Sequence, residues 1–161
     1  MKSSGFTLIE LLIYMALFGI LMTGIISSFI QIGQSAAYIE SQSILADESL
    51  FISGKLRHAL VESINISSPL SGESSESLVL LTNGGTTIFE TSSQVLTRSI
   101  DSVSRAVSGN TVSIISLIFT LTEEQPDYPK HLLISYTLEI RTQSGRVLRK
   151  DYGETIYDLP K

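Results

Sequence analysis

The sequence predicts an α+β fold, in which one long N-terminal helix packs on an antiparallel β-sheet head. Two patterns support this class. Apolar residues recur first with the spacing of a helix, and from Leu78 onward they alternate in short segments that end at turn residues. The chain has 161 residues, which is enough for one ordinary domain beside such a helix.

The first half of the helix is expected to lie in a membrane. No charged residue occurs between Glu10 and Glu40, and residues 11–33 are mostly apolar. A bilayer core of roughly 30 Å needs about 20 apolar helical residues. A buried helix of a soluble domain is disfavoured because it would rarely run so far without a charge. A cleaved signal peptide is disfavoured because its apolar stretch is shorter.

The charges that flank the apolar segment predict its orientation. Lys2 precedes it, and no Lys or Arg follows it until Lys55. Basic residues are retained on the cytoplasmic side of a membrane helix. We therefore expect a single-pass protein with its N-terminus in the cytoplasm and its head outside that compartment.

The second half of the helix is predicted to be amphipathic, with charged residues between apolar ones. The predicted apolar stripe consists of Tyr38, Leu45, Ile52, Leu56 and Leu60. The turn-rich residues 67–72, which include Pro69, are expected to follow a helix that runs from Phe6 to about Ile64. This divides the chain into a membrane half of the helix (residues 6–35), an amphipathic half (36–66) and a head (67–161).

The head is predicted to be built from strands joined by short turns, which favours an antiparallel sheet. The predicted strands are residues 78–81, 86–90, 94–100, 111–122, 131–141 and 146–152, with turns at Asn83–Gly85 and Ser144–Gly145. In the fourth of these strands, Ile115, Leu117, Phe119 and Leu121 are expected on one face. The apolar stripe of the helix is expected to cover one face of the sheet.

An acidic residue, Glu10, lies in the otherwise apolar N-terminal segment. An ionised carboxylate at membrane depth costs on the order of a few kcal/mol, so such a residue is usually paired or functional. The alternative is that Glu10 reaches the lipid headgroups from the end of the helix. Its sequence context favours the paired interpretation.

The segment Gly5-Phe6-Thr7-Leu8-Ile9-Glu10-Leu11-Leu12 resembles the processing and methylation motif of type IV prepilins and of the pseudopilins of type II secretion. It combines a short leader that contains a basic residue, a glycine, an aromatic residue, a glutamate four residues later and a long apolar helix. The resemblance implies that residues 1–5 are a leader peptide. A prepilin peptidase would cut between Gly5 and Phe6, and the new amine of Phe6 would be methylated.

The same resemblance implies that Glu10 pairs with the Phe6 ammonium of a neighbouring subunit during assembly. A buried carboxylate and a buried ammonium are each unfavourable alone, but each offsets the desolvation of the other. The implied partners are other pilin or pseudopilin subunits, the prepilin peptidase, the inner-membrane assembly platform and membrane lipid. The implied location is the cytoplasmic (inner) membrane, with the head periplasmic or extracellular, and then a filament.

The resemblance extends to the rest of the helix and to the head. Gly19 and Gly24 suit the zone where pilin helices locally unwind. Two sets of small residues, Gly24 with Ser28 and Gly33 with Ala37 and Ser41, have spacings that allow close helix approach. The segment Leu96–Ile100, followed by a long β-branched strand and an alternating strand, resembles the heads of minor pilins and of J-type minor pseudopilins. Many major pilins close a loop with a disulfide, so the absence of cysteine also favours a minor subunit.

Composition argues against several other functions. The net charge of −5, without a basic stripe, disfavours direct binding of nucleic acid. The absence of cysteine excludes Cys-based zinc sites and nucleophiles. His58 and His131 have no second His nearby, so no metal site is predicted. The acidic loop Glu123–Asp127 offers oxygen ligands of the kind that Ca²⁺ takes, but its spacing matches no EF-hand and a solvated turn is preferred.

The sequence therefore predicts a structural subunit, a minor pilin or pseudopilin, with no catalytic residue, metal or cofactor. Whether it serves a pilus, type II secretion or DNA uptake stays open. The alternative is a membrane-anchored extracytoplasmic binding module or enzyme whose N-terminal helix is an unrelated tether. That alternative explains the apolar segment, but it does not explain Glu10 beside Gly5-Phe6.

Overall fold

The computed structural model describes residues 7–124, 129–142, 145–157 and 159. They form one long helix and nine strands, an α+β fold consistent with a pilin-like architecture. The elements in chain order are α1 (Leu8–Glu62), β1 (Ser63–Ser68), β2 (Ser74–Ser75), β3 (Leu78–Thr82), β4 (Gly85–Ser92), β5 (Val95–Ile100), β6 (Val103–Ala106), β7 (Ser113–Leu121), β8 (Leu132–Arg141) and β9 (Val147–Ile156). The prediction of one helix followed by strands is confirmed.

The chain divides into two compact units, Met1–Ile39 and Glu40–Lys161. The described part of the first unit is helix, and every side chain from Thr7 to Ala36 is exposed. The second unit contains the remainder of α1 and both sheets. Helix α1 ends at Glu62 rather than near Ile64, because residues 63–68, expected as the end of the helix and a turn, form strand β1 instead.

The strands form two antiparallel sheets rather than the single sheet expected. The first has the order β1-β3-β4-β5-β6, and the second has the order β2-β7-β8-β9. Two hairpins of the first sheet turn through two residues each, Ser93-Gln94 and Asp101-Ser102, all with positive φ. Such loops match the right-handed twist of the paired strands. The second of them adds β6, which was not predicted.

A β-bulge between Ile114 and Ser116 corrects the predicted pattern of β7. Beyond it the alternation is as expected, with Leu117, Phe119 and Leu121 buried. Before it, Ile114 is buried and Ile115 is exposed, so Ile115 does not share the buried face. The extra residue of a bulge shifts the alternation by one position.

The core lies where the last part of α1 meets the inner faces of the two sheets. The helix contributes Leu45, Ile52, Leu56 and Leu60, as the stripe predicted, while Tyr38 is half exposed and does not join them. Three small residues that the apolar pattern did not include, Ser41, Ser49 and Ala59, are also buried on this face. The sheets contribute mainly aliphatic side chains and two fully buried rings, Phe89 and Phe119.

Polar contacts fix the register of the helix against the sheets. The Ser49 hydroxyl lies 2.8 Å from Tyr136 Oη on β8, and Tyr136 Oη donates to the Ser49 carbonyl at 3.2 Å. Arg57 pairs with Glu154 on β9. Buried hydroxyls with no partner cost free energy, so the Ser49–Tyr136 pair favours this one alignment of α1.

Candidate functional site

The structure places Glu10 in the first turn of α1, where it forms a capping box with Thr7. The Glu10 amide donates to Thr7 Oγ1 at 3.4 Å, while the Thr7 amide and hydroxyl donate to Glu10 Oε2 at 3.4 and 3.2 Å. The first amides of a helix have no partner within the helix, and this reciprocal arrangement satisfies two of them. The carboxylate also lies at the positive end of the helix dipole.

The capping box is a role for Glu10 that the sequence interpretation missed. The signal was present, because Thr7-x-x-Glu10 has the spacing of a capping box ahead of an apolar run. Both capping contacts use one carboxylate oxygen, Oε2. In the described part of the chain, the other oxygen, Oε1, has no hydrogen-bond partner. The box therefore leaves one side of the carboxylate open to a further donor.

Gly5 and Phe6, the residues expected at the processing site, lie outside the described residues. Cleavage between them, methylation of Phe6 and pairing of Phe6 with Glu10 therefore stay predictions. What the structure describes of this region begins at Thr7, immediately before the helix.

The apolar surface of the first unit is suited to a membrane. In the described part of the chain, α1 is long and apolar enough to cross one. Hydroxyl side chains in its apolar segment bond within the helix: Thr23 donates to the Gly19 carbonyl at 2.8 Å and Ser28 to the Gly24 carbonyl at 3.0 Å. Polar groups satisfied inside a helix remove most of the cost of placing them in lipid.

The small residues of α1 leave open space on its surface. A Cβ atom added at Gly19, Gly24 or Gly33 would meet no other atom within 4 Å. The helix of the single chain is continuous through Gly19 and Gly24, and local unwinding there in a filament stays a prediction. Ser41, expected as a small residue at a helix–helix contact, is instead buried in the second unit.

The other candidate residues show no cluster of ligands. Among the residues that the structure describes, no three His, Cys, Asp or Glu side chains are close enough to hold a metal ion. His58 lies on the exposed face of α1 with its Nδ1 3.4 Å from Glu62, and His131 contacts the Pro129 carbonyl through Nδ1 at 3.0 Å. Of the acidic loop, Glu123 and Glu124 are exposed, and residues 125–127 lie outside the described residues.

Comparison with known families identifies the N-terminal segment. Residues 1–26 match the family described as the prokaryotic N-terminal methylation motif. Searches of curated proteins and of solved structures found no significant match. The motif supports a type IV prepilin-like or pseudopilin-like protein, for which a structural subunit rather than an enzyme is the typical function. The motif and the one long apolar helix among the described residues fit single-pass anchoring in the inner membrane.

Proposed function

We propose that this protein is a structural subunit, a minor pilin or pseudopilin, that enters a type IV pilus-like or type II secretion filament. The observation that carries the proposal is the methylation motif over residues 1–26, on a helix whose side chains are all exposed from Thr7 to Ala36. A helix with this surface needs lipid or neighbouring helices around it. The membrane surrounds the helix with lipid before assembly, and a filament of such subunits then surrounds it with neighbouring helices.

Processing is the first step of the proposed function. A prepilin peptidase cuts between Gly5 and Phe6 on the cytoplasmic face, and the Phe6 amine is methylated. Intact-mass analysis of the membrane-extracted protein, with and without co-expressed peptidase, tests this step. We expect loss of residues 1–5 and one added methyl group on Phe6. An uncut chain, in a host that matures its other filament subunits, would favour the unrelated-tether alternative and overturn the proposal.

Assembly is the second step, and it assigns Glu10 to the Phe6 ammonium of a neighbouring subunit. The capping box leaves Glu10 Oε1 open, so the carboxylate can bind Thr7 and an incoming ammonium together. In lipid the two charges stabilise each other because each would otherwise be desolvated alone. The pair would set the axial register between subunits.

Three substitutions separate the pairing role of Glu10 from its capping role. Glu10→Gln keeps a side chain that can close a capping box but removes the charge. Thr7→Ala removes the cap partner but keeps the charge, and Glu10→Ala removes both. We expect all three variants to be inserted and processed. Incorporation into sheared filaments should fall at least tenfold for Glu10→Gln and Glu10→Ala, and should stay near that of the unaltered chain for Thr7→Ala.

The opposite pattern would show that Glu10 acts only through the cap. In that case Glu10→Gln would assemble normally while Thr7→Ala and Glu10→Ala would fail.

The proposed partners in either case are other pilin or pseudopilin subunits and the inner-membrane assembly platform. The machine that the filament serves, whether pilus, type II secretion or DNA uptake, is not distinguished by these residues, and the net charge of −5 disfavours direct contact with nucleic acid.

A further inference from the structure

The second unit carries two surfaces with exposed apolar side chains. Basic side chains line one of them, and acidic side chains line the other. The first, the basic groove, has a volume of about 560 Å³ and lies between α1 and β5, where Leu50, Phe51, Lys55, His58 and Arg98 line it. The second, the acidic cleft, has a volume of about 410 Å³ and is lined by Glu76, Glu90, Ile115 and Ile118. We propose that the acidic cleft of one copy of this chain docks on the basic groove of the next.

The basic groove has unused capacity for an anionic, partly apolar partner. Leu50 is 72% exposed, and the Lys55 ammonium lies 5.3 Å from the centre of the Phe51 ring. The central carbon of the Arg98 guanidinium lies 5.8 Å from the centre of the Phe89 ring, so this cation is held beside the groove. Neither Lys55 nor Arg98 forms an ion pair with any described residue, whereas Glu62, a carboxylate that also lines the groove, contacts His58.

Gly54 supports a close approach to the helix in the same groove. It lies within α1 and lines the groove, and a Cβ added there would meet nothing within 4 Å. A glycine inside a helix is less favourable than an alanine, and no contact with a described residue requires one here. A partner that packs against the helix backbone at this point provides a physical reason for it.

The acidic cleft has the complementary chemistry. The carboxylates of Glu76 and Glu90 have no ion pair or hydrogen bond with any residue that the structure describes. Ile115 and Ile118 are 39% and 43% exposed beside them, and the bulge in β7 is what turns Ile115 outward. Bulges commonly re-aim a side chain where a strand meets a ligand or a partner.

The two surfaces cannot meet within one chain. Arg98 is directly opposite Phe89 in the β4–β5 register, so both side chains lie on the same face of the first sheet. Glu90 is the next residue along β4 and therefore points to the other face. Two different patches that fit each other on opposite faces produce a head-to-tail contact, which repeats from copy to copy instead of closing as a symmetric dimer.

This inference deepens the proposed function, and it rests on that function only for the presence of neighbouring subunits in a filament. A subunit that occurs once in each filament would have no use for both surfaces. The contact therefore also predicts that this chain, although proposed above as a minor subunit, occurs as adjacent copies rather than once in each filament.

The chain contains no cysteine, which makes the contact testable by disulfide formation in the full-length protein. Ser116→Cys, at an exposed residue that lines the acidic cleft, places a thiol there, and His58→Cys places one in the basic groove. Two differently tagged populations are mixed in detergent and oxidised mildly. We expect at least fivefold more cross-linking between Ser116→Cys and His58→Cys than within either population alone, and a ladder of oligomers when one chain carries both substitutions.

Charge variants test whether complementarity drives the contact. Glu90→Arg in the cleft partner, or Lys55→Glu in the groove partner, should each lower the cross-linked yield severalfold. When the cleft partner carries Glu90→Arg and the groove partner carries Lys55→Glu, most of the cross-linked yield should return. Gly54→Ala should lower the yield without unfolding the protein. Ser71→Cys, on an exposed loop outside both surfaces, gives the background.

Three results would overturn the proposal: yields equal to the Ser71→Cys background, equal yields for like and unlike pairs, or yields that charge reversal leaves unchanged. These failures are separate from a failure of the proposed function. If Glu10-dependent incorporation holds and the unlike pair does not cross-link, only the contact between copies is wrong. If the unlike pair cross-links and the chain is never processed, the filament role is wrong and the self-association remains.

Discussion

At the scale of single residues, two stacked tyrosines on neighbouring strands differ in the state of their hydroxyls. The rings of Tyr136 and Tyr152 lie 5.7 Å apart and are nearly parallel. Tyr136 Oη bonds Ser49 on the helix, whereas Tyr152 Oη is shielded from solvent and has no partner among the described residues. A Tyr→Phe substitution therefore removes a hydrogen-bonded hydroxyl at Tyr136 and a hydroxyl without a described partner at Tyr152.

We expect Tyr136→Phe to lower the free energy of unfolding by about 1–3 kcal/mol, because it leaves buried polar groups of Ser49 without their partner. Tyr152→Phe should leave the free energy of unfolding unchanged or raise it by up to about 1 kcal/mol, since it removes a hydroxyl that bonds nothing. Urea unfolding of the detergent-solubilised protein, followed by tyrosine fluorescence or circular dichroism, measures both. Equal losses for the two variants would contradict the assignment.

Tyr152 also predicts how stability depends on pH. Burial, with a smaller contribution from the negative charge of an ionised Tyr136, raises the pKa of Tyr152 above its ordinary value of 10.0. The unfolded chain then loses this proton more readily than the folded one. The stabilisation is fully present below pH 10 and is lost as the pH rises from there through the folded pKa.

Unfolding at several pH values between about 9 and 11 measures this effect as the slope of stability against pH. Tyr152→Phe should make that slope shallower. Tyr157→Phe, at an exposed tyrosine, is the matched control and should leave it unchanged. A slope that Tyr157→Phe reduces as much as Tyr152→Phe would show that Tyr152 has no special part in it.

At the scale of elements, the two-residue hairpin turns of the first sheet contain residue types that are less stable at positive φ than Asn-Gly would be. Ser93 and Gln94 connect β4 to β5 with φ of 52° and 64°. Positive φ is unfavourable for residues with a Cβ, and Asn-Gly is the preferred pair for such a turn. We expect the double substitution Ser93→Asn/Gln94→Gly to raise the free energy of unfolding by about 1 kcal/mol.

Gln94→Val is the control for the hairpin prediction. A β-branched side chain at positive φ is strained, so this variant should be less stable than the unaltered chain. Thermal unfolding followed by circular dichroism compares the three proteins. If the Asn-Gly variant were destabilised as well, the turn would not have the geometry described.

The same turns explain why part of the sheet was not predicted. Neither Ser93-Gln94 nor Asp101-Ser102 is a strong turn signal, and all four side chains of β6 are exposed, so no alternation marks that strand. The strands with clear alternation, such as β8, were predicted to within one residue. The bulge in β7 left no signal, because Ile114 and Ile115 are identical residues and either can fill the buried position.

In the helix, likewise, the sequence predicted the large buried side chains but not the small polar ones. Its length and its large buried side chains follow from apolar spacing, since Leu45, Ile52 and Leu56 can only be buried on one face. Ser41 and Ser49 were missed because the packing of small polar residues depends on a tertiary partner, here Tyr136 for Ser49. At the candidate site, Glu10 was found as an acidic residue in an apolar segment, but its bond to Thr7 was not.

At the scale of the whole molecule, the two units need different surroundings. The apolar core lies entirely in the second unit, and the first unit buries none of its described residues within the chain. Water is therefore a poor solvent for the first unit, and hydrocarbon or neighbouring helices are good ones. The hydroxyls of Thr23 and Ser28 are bonded inside the helix, so a change from lipid to a filament core would leave no polar group of these side chains unsatisfied.

The orientation of the chain follows from the few charges near the apolar segment. Lys2 precedes it and no basic residue follows until Lys55, so we expect residues before Thr7 in the cytoplasm and the second unit outside. Single cysteines in the cysteine-free chain report this directly in a strain without the prepilin peptidase. Ser71→Cys, on an exposed loop, should react with a membrane-impermeant maleimide in intact spheroplasts, whereas Ser3→Cys should react only after lysis. The reverse labelling pattern would place the second unit in the cytoplasm, where no extracytoplasmic filament could recruit it.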